Sequence, residues 1–272
     1  MVSSAGRPDG VGVADVETEV TETERAVLQV SLPAEILRLF SGYTQETLGS
    51  SIARVRFRSG RIDVVWGVEL TDGRKVAVKA HRRPVDLGAV TAATQAQQTL
   101  SAVGFPCAEP LSGPDEMAGQ VLRVETLLPD GQVADGRDPV IRRLLADGLA
   151  GHIDVLRHRS DLIDQAGSGP SWCQYQAGPW PVPHDPIVDF TATPLGYRWL
   201  DRFAEQAADQ ILTHRDAGDV VVGHADWYVG NVAVADGKLV ATYDWELVAD
   251  TEAVIAGFTA ACYGASCTDH GR

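Results

Sequence analysis

The sequence predicts an α+β protein in which a lobe built on an antiparallel sheet precedes a larger, mainly helical lobe. Strand-like stretches dominate between residues 51 and 128, whereas helical periodicity dominates after residue 140. Strand and helix do not alternate regularly, so a parallel βαβ arrangement is not expected. We expect a disordered tail over residues 1–24, an N-terminal lobe over 25–128 and a C-terminal lobe over 129–272.

The N-terminal lobe begins with short helical pieces over residues 26–40, which Pro33 interrupts. Short glycine-containing turns then join three strands, which predicts an antiparallel meander of SIARVRFRSG (51–60), VVWGVEL (64–70) and KVAVKAH (75–81). A helix over 85–103 stops at Gly104, and QVLRVETLL (120–128) is a further strand.

The C-terminal lobe contains periodic stretches that predict helices over 140–156 and 198–214. A segment rich in Trp, Pro and Gly, residues 165–190, separates them and is expected to be irregular. Residues 220–246 are predicted to form a loop and two short strands, VAVA and LVATYDW, which the turn Asp236-Gly237 joins.

The composition limits the kinds of partner. The chain of 272 residues has a formal net charge of −14. An acidic surface repels phosphate backbones, so no nucleic acid is expected as a partner; the charge either favours a cationic substrate or serves only solubility. Neither a long apolar run nor a basic start followed by one occurs. No membrane span and no secretory signal are therefore predicted, and the protein is expected in the cytoplasm.

The cysteines form no disulfide framework and are expected to be reduced. Cys262, Cys267 and His270 near the end of the chain lack the close spacing and the fourth ligand of a structural zinc site. A metal at that place is not expected.

Polar residues that can carry chemistry gather in residues 220–246. His224, Asp226, Asn231 and Asp244 lie there on loops or at strand ends. Phosphoryl transfer needs a carboxylate near the attacking hydroxyl, oxygen ligands for magnesium and a cation on the nucleotide phosphates. Asp226, Asn231 and Asp244 supply the carboxylate and the oxygen ligands. The alternative is that they are ordinary turn residues, since Asp and Asn are common in turns.

Two motifs in this stretch resemble a known family. GHADWYVGN matches the H-x-D-x-x-x-x-N loop of the aminoglycoside phosphotransferase and choline kinase family, which has a protein-kinase-like fold. TYDWE resembles that family's Asp-Trp-Glu segment, and Asp244 follows Asp226 by 18 residues, a spacing typical of the family. The resemblance covers roughly residues 50–260.

The resemblance implies roles for individual residues. Asp226 would orient or deprotonate the substrate hydroxyl, and His224 would brace the loop. Asn231 and Asp244 would hold Mg²⁺, with ATP or GTP as co-substrate. The acceptor would be a small hydroxylated molecule; antibiotic resistance is one association of the family, and metabolic kinases share the motif.

The N-terminal lobe carries further parts of the resemblance. Lys79 in VAVKA resembles the third-strand lysine that contacts the nucleotide phosphates, although an edge-strand surface lysine is the alternative. VLRVETLLPDG resembles the linker between lobes, whose backbone would bind the purine beside Glu125, Thr126 and Leu127.

Three departures from the family lead to a second hypothesis. The helix before Gly104 carries no glutamate to pair with Lys79. The loop over 58–63, which should cover the phosphates, contains a single glycine, Gly60, and few residues follow Asp244. The chain is therefore either an active small-molecule kinase or a kinase-like module that binds nucleotide without efficient catalysis. The aromatic segment around Trp172 either lines the acceptor pocket or packs the core; its other members are Tyr175, Trp180, His184 and Asp189.

Overall fold

The computed structural model describes residues 19–129, 131–175, 195–214 and 217–266. Their Cα positions divide into two compact units, and each is described by itself. The first contains residues 19–94 and 108–129; the second contains residues 95–107 and the described residues from 131 onward. Within the described residues, no helix is both long enough and apolar enough to cross a membrane.

The first unit contains an antiparallel sheet, as the sequence predicts, with five strands where the sequence predicts four. Its strands lie in the order β1-β2-β3-β5-β4. Their bounds are β1 Ile52–Ser59, β2 Val64–Leu70, β3 Lys75–His81, β4 Pro110–Met117 and β5 Gln120–Thr126. Strand β4 was not predicted, because its prolines and Gly113 are residues typical of turns; it is an edge strand that pairs only with β5.

Two helices precede the sheet, α1 (Glu22–Leu28) and α2 (Pro33–Leu48). Thr21 caps α1 through a capping box in which its hydroxyl accepts from the backbone of Glu24 and the Glu24 carboxylate accepts from the Thr21 backbone. The helix thus begins inside the segment predicted as a tail, while residues 1–18 lie outside the described residues. Pro33 occupies the first turn of α2, where its missing N–H costs nothing.

Both helices pack on one face of the sheet. Val78 and Ala80 of β3 contribute to this core, which also holds Phe40 and Trp66 in edge-to-face contact at 5.5 Å. The buried carboxylate of Glu24 accepts from the Trp66 indole at 2.7 Å and also pairs with the Arg58 guanidinium. Because side chains alternate along a strand, Lys79 projects to the opposite face of the sheet.

The second unit combines helices with two small sheets. Its helices are α4 (Pro139–Leu156), α5 (Ser160–Ala166), α6 (Arg198–His214) and α7 (Glu252–Ser266), and α3 (Leu87–Ala102) begins in the first unit and ends in this one. One sheet has the order β6-β8-β9 and the other pairs β7 with β10. Their strands are β6 Gln132–Val133, β7 Val220–His224, β8 Val232–Ala235, β9 Lys238–Thr242 and β10 Leu247–Thr251.

The hairpin β8–β9 has the predicted turn and first strand, although β9 ends at Thr242 and does not extend to Trp245 as predicted. Asp236 and Gly237 have φ angles of 50° and 69°, which are the positive values that a tight two-residue hairpin turn requires. The prediction of a loop over 220–224 was wrong, because these residues form β7. Its partner is β10, more than 20 residues further along the chain, so no local signal marks the strand.

Candidate active site

The loop from His224 to Asn231, here called the His–Asp–Asn loop, follows directly on β7. Its start is fixed by sheet pairing, since His224 lies opposite Leu247 and the Ala225 N–H donates to the Glu246 carbonyl at 2.8 Å. Its end is a short 3-10 turn over Val229–Asn231. The loop is therefore held by regular structure at both ends.

Asn231 reaches back across the loop to Asp226. Its Nδ2 donates to the Asp226 carbonyl at 2.9 Å and to the Asp226 Oδ2 at 2.9 Å. Asn231 is buried, so this amide sets the orientation of the carboxylate. Both Nδ2 hydrogens serve Asp226, which leaves the Oδ1 of Asn231 as the atom suited to a metal ion.

His224 braces the loop through both of its ring nitrogens. Its Nδ1 accepts from the Asp226 N–H at 3.1 Å, so its Nε2 carries the proton and donates to the Tyr243 carbonyl at 3.0 Å. The His224 N–H in turn donates to the His152 Nε2 at 3.1 Å. His152 sits on α4, where its Nδ1 donates to the Gly148 carbonyl at 3.0 Å.

These hydrogen bonds require both histidines to be neutral. Burial lowers the pKa of His152 to about 3, with a smaller contribution from the neighbouring His224. Burial also lowers the pKa of His224 to about 4. The two rings lie with Trp227 and Trp245 in one aromatic cluster, in which the His152 and Trp227 centroids are 4.8 Å apart.

Asp244 follows β9 and is exposed to solvent. The Tyr243 N–H donates to the Asn231 carbonyl at 2.9 Å, so the residue just before Asp244 is tied to the His–Asp–Asn loop. Asp244 itself has a φ of 50°, a left-handed conformation that aspartate tolerates better than most residues.

The negative charge of Asp244 acts on the Asp226 carboxylate. Burial raises the pKa of Asp226, and the negative charge of Asp244 raises it further, against the opposing hydrogen bond from Asn231. A carboxylate with a raised pKa is a stronger base at the pH where it is ionised. The repulsion also shows that negative charge is concentrated here, which a bound cation would relieve.

The second unit offers oxygen atoms that suit Mg²⁺ as ligands. Asp226, Asp244 and the Asn231 amide offer oxygen atoms, which this ion prefers. Among the described residues no group of three or more His, Cys, Asp and Glu side chains is arranged to hold a metal. An ion held by one or two protein ligands and by the phosphates of a nucleotide fits this arrangement.

The first unit contains what we call the lysine cluster, which consists of Lys79, Arg123 and Glu125. The Lys79 Nζ lies 2.6 Å from the Glu125 Oε1, and the Arg123 Nη2 lies 3.5 Å from the Glu125 Oε2. All three residues are buried. The side chain of Glu125 thus contacts the lysine, a contact that the sequence does not reveal.

Thr126 is the last residue of β5 in the same unit, and Leu127 follows it. The Thr126 N–H donates to the Glu109 carbonyl at 2.8 Å, and the Leu127 N–H donates to the Lys75 carbonyl at 3.1 Å. These two donors are engaged within the unit. Binding of the purine by this segment stays a prediction.

The aromatic segment proposed for the acceptor is described only in part. Tyr175 is buried and its hydroxyl donates to the Asp250 Oδ2 at 2.8 Å, so it packs inside the second unit. Trp172 packs against the core of this unit. Trp180, His184 and Asp189 lie outside the described residues.

Two residues of the site escaped the sequence analysis. Arg123 lies in the apolar strand VLRVET, and a buried charge in such a strand needs a partner, which here is Glu125. His152 lies in the helix predicted over 140–156, where its Nε2 accepts a hydrogen bond from the backbone N–H of His224. No pattern in the sequence indicates that bond, because 72 residues separate the two histidines.

The sequence profile of the phosphotransferase enzyme family (APH) matches residues 54–251, which is well over half of the chain. The chain therefore belongs to this family, as the two motifs predict. A comparison with curated proteins found no match.

Solved structures resemble the chain at low sequence identity. An amicoumacin kinase, hAmiN, solved with AMP-PNP, Ca²⁺ and Ami, shares 15% identity at a TM-score of 0.55, and the match covers 75% of this chain and 62% of that one. The chain thus spans less than two thirds of that kinase. This similarity confirms the α+β, protein-kinase-like fold.

Two further structures show similarity over more of their length. The macrolide 2′-phosphotransferase MphH from Brachybacterium faecium shares 15% identity, with a TM-score of 0.49 and coverage of 88% of this chain and 83% of that one. A thermostable mutant of aminoglycoside phosphotransferase APH(4)-Ia shares 16%, with a TM-score of 0.48 and coverage of 84% and 80%.

Proposed function

We propose that the chain transfers the γ-phosphoryl group of ATP or GTP to a hydroxyl group of a small molecule. The observation that carries this proposal is the geometry of Asp226, whose carboxylate is oriented by Asn231 and whose pKa is raised by burial and by Asp244. Membership of the phosphotransferase family supports the same reaction.

In the proposed reaction, the acceptor hydroxyl binds to the Asp226 carboxylate. The hydroxyl oxygen attacks the γ-phosphorus, the bond from that phosphorus to the β–γ bridging oxygen breaks, and the nucleoside diphosphate leaves. Asp226 accepts the proton that the hydroxyl loses. His224 keeps Asp226 in place, because its Nδ1 accepts from the backbone N–H of that residue at 3.1 Å.

Asn231 and Asp244 would hold Mg²⁺, with their oxygens as ligands. When bound, this ion supplies positive charge that offsets the charge of the β and γ phosphates. Lys79 would supply a second positive charge, to the α and β phosphates. Glu125, Thr126 and Leu127 would lie beside the base.

The acceptor is proposed to be a hydroxylated and cationic molecule, such as an aminoglycoside or another amino sugar. The net charge of −14 supports this class, since an acidic surface attracts cations. The attraction comes from charges on the surface, which salt screens. The preference is therefore expected to weaken as salt is added.

Turnover assays test the proposal. The purified chain is incubated with Mg²⁺, ATP or GTP, and a panel of aminoglycosides, peptide antibiotics, choline and amino sugars, and products are identified by mass. Asp226→Ala should lower kcat by roughly 10²- to 10⁴-fold, as expected for loss of a general base. Asp236→Asn, in the exposed hairpin turn, is the matched control and should keep wild-type turnover. Equal turnover by Asp226→Ala would refute the assigned chemistry.

A second candidate is a module that binds nucleotide without catalysis. It is favoured by the absence of an acid from α3, the helix expected to pair with Lys79. Calorimetric titration with Mg²⁺ and ATP separates the two functions when it is combined with the turnover assays. Binding without turnover on the whole panel would support the second candidate.

A further inference from the structure

The lysine cluster is assembled by the register of two neighbouring strands. Lys79 on β3 lies opposite Arg123 on β5, and Ala77 lies opposite Glu125. All four residues share one face of the sheet, since each pair is two positions apart along its strand. Glu125 is therefore the diagonal neighbour of Lys79, at a distance that long side chains can span.

This arrangement places two cations directly across from each other. Like charges at opposite positions of an antiparallel pair destabilise a sheet. Lys79 and Arg123 are 7% and 4% exposed, so water cannot offset their repulsion. The Glu125 carboxylate, itself 6% exposed, contacts Lys79 with one oxygen and Arg123 with the other.

The charge of Lys79 also acts on another acid of the first unit, Asp63, which directly precedes β2. The Lys79 charge contributes to lowering the pKa of Asp63, although burial opposes this and His81 lowers it more. The Asp63 oxygens are engaged elsewhere, with the His81 Nδ1 at 2.7 Å and the Arg82 N–H at 2.9 Å. Glu125 is thus the carboxylate that contacts the ammonium.

We propose that Glu125 is the positioning residue for Lys79. Glu125 on strand β5 thereby pairs with the lysine in place of an acid on α3, which has none. The inference rests on the proposed function, in which Lys79 contacts the nucleotide phosphates. A carboxylate at 2.6 Å limits the directions in which the ammonium can point. Arg123 holds the second oxygen of Glu125 and so limits rotation of the carboxylate.

The proposal gives Glu125 a role distinct from that of its backbone. Contact of this segment with the base would depend on main-chain atoms and would survive a change of side chain. Positioning of Lys79 depends on the carboxylate and would not. Substitutions at Glu125 therefore separate the two roles.

The experiment compares Glu125→Gln, Glu125→Asp, Lys79→Met and the double variant Lys79→Met/Glu125→Gln in the full chain. Glu125→Gln removes the charge and should lower kcat/KM for the nucleotide about 10- to 100-fold, as expected for a charge-assisted hydrogen bond. KM for the acceptor should change less than about threefold, since that site is separate. Glu125→Asp should give an intermediate value.

The double variant tests whether Glu125 acts through Lys79. If it does, Lys79→Met/Glu125→Gln should be no worse than Lys79→Met alone. Glu24→Gln is the matched control, because Glu24 is also buried and paired with an arginine, on the other face of the sheet. This control should lower the melting temperature without changing kcat/KM of the folded protein.

Several outcomes would overturn the inference. A folded Glu125→Gln variant with wild-type kcat/KM for the nucleotide would do so. If that variant fails to fold, Glu125→Asp decides instead, and wild-type values for it would be equally contrary. Strictly multiplicative effects of the two single substitutions would also count against the inference.

Calorimetry with Mg²⁺ and ADP keeps this inference separable from the proposed function. If the wild type turns over no acceptor but its ADP affinity falls in Glu125→Gln, the proposed function fails and the inference stands. If the wild type phosphorylates an acceptor and Glu125→Gln matches it in both assays, the inference fails and the function stands.

Discussion

The two units hold their functional side chains by opposite means. In the first unit, Lys79 is held by a charged partner, the buried carboxylate of Glu125. In the second unit, Asp226 is held by uncharged groups, namely the Asn231 amide and the neutral ring of His224. An ion pair fixes a cation for which a phosphate is the expected ligand, whereas neutral hydrogen-bonding groups leave the full negative charge on Asp226.

The difference predicts different sensitivities. When one partner of a buried ion pair becomes neutral, the other is left as an uncompensated charge, even if the shape of the side chain is kept. A network of neutral histidines is instead sensitive to acid, because protonation puts an uncompensated charge in the core. Four predictions from three variants test this contrast through the free energy of unfolding, with the variants in order of decreasing effect.

His152→Leu is expected to have the largest effect, a loss of about 2–4 kcal/mol. The substitution leaves the buried His224 N–H without its hydrogen-bond partner and removes the side-chain hydrogen bond to the Gly148 carbonyl. Urea unfolding at pH 7.5 measures the loss. His158→Leu, at an exposed position just after α4, is the control and should change stability by less than about 0.5 kcal/mol.

The same variant should flatten the acid dependence of stability. Both buried histidines have a folded-state pKa far below the ordinary value of 6.5, at about 3 and 4. Their stabilising contribution is complete above pH 6.5 and is lost as the pH falls from 6.5 toward 4, by up to about 1.4 kcal/mol per pH unit for each histidine. His152→Leu should remove about half of this slope. An unchanged slope would mean that His152 is not buried as a neutral ring.

Gly148→Ala is expected to cost about 1–3 kcal/mol, because it overfills the contact between α4 and the His–Asp–Asn loop. A Cβ at this position would lie 2.8 Å from the Trp227 ring. Gly151→Ala on the same helix meets nothing within 4 Å and should stabilise by up to about 1 kcal/mol through helix propensity. Thermal unfolding of both variants checks this, and equal effects would contradict the packing seen at Trp227.

Asp226→Asn is expected to have the smallest effect on stability, and in the opposite direction. Since burial and Asp244 raise the folded-state pKa of Asp226 above 3.8, the ionised carboxylate costs stability at neutral pH. The variant should melt above the wild type at pH 7.5, and the difference should vanish as the pH approaches 3.8. It should also be inactive. A lower melting temperature of the variant at pH 7.5 would contradict the raised pKa of Asp226 in the folded protein.

Much of the fold follows from local pattern. Strands β2 and β3 have the bounds that the sequence predicts, because turns that contain glycine or aspartate separate their apolar runs. Helix α6 likewise matches its periodicity. Strands β4 and β7 were missed, since each is identified only by pairing with another strand, and Pro110 and Gly113 suggest turns.

The site was predictable where its members share one stretch of chain. The spacing of Asp226 and Asn231 in a loop motif identified two residues that the structure joins by a hydrogen bond at 2.9 Å. The contact of Lys79 with Glu125 was not predictable, because it depends on the register between β3 and β5. A shift of that register by one residue would turn the Glu125 side chain to the other face.

The hydrogen bonds of Tyr243 restrain its neighbour Asp244. Its N–H and its carbonyl are both bound by the His–Asp–Asn loop, so residue 243 is clamped on either side of its Cα. Asp244 can then move only by rotation about its own left-handed backbone or by breaking both hydrogen bonds. Each hydrogen bond costs about 1 kcal/mol or more to break. The position of Asp244 relative to the His–Asp–Asn loop is therefore restrained by the main chain of its neighbour.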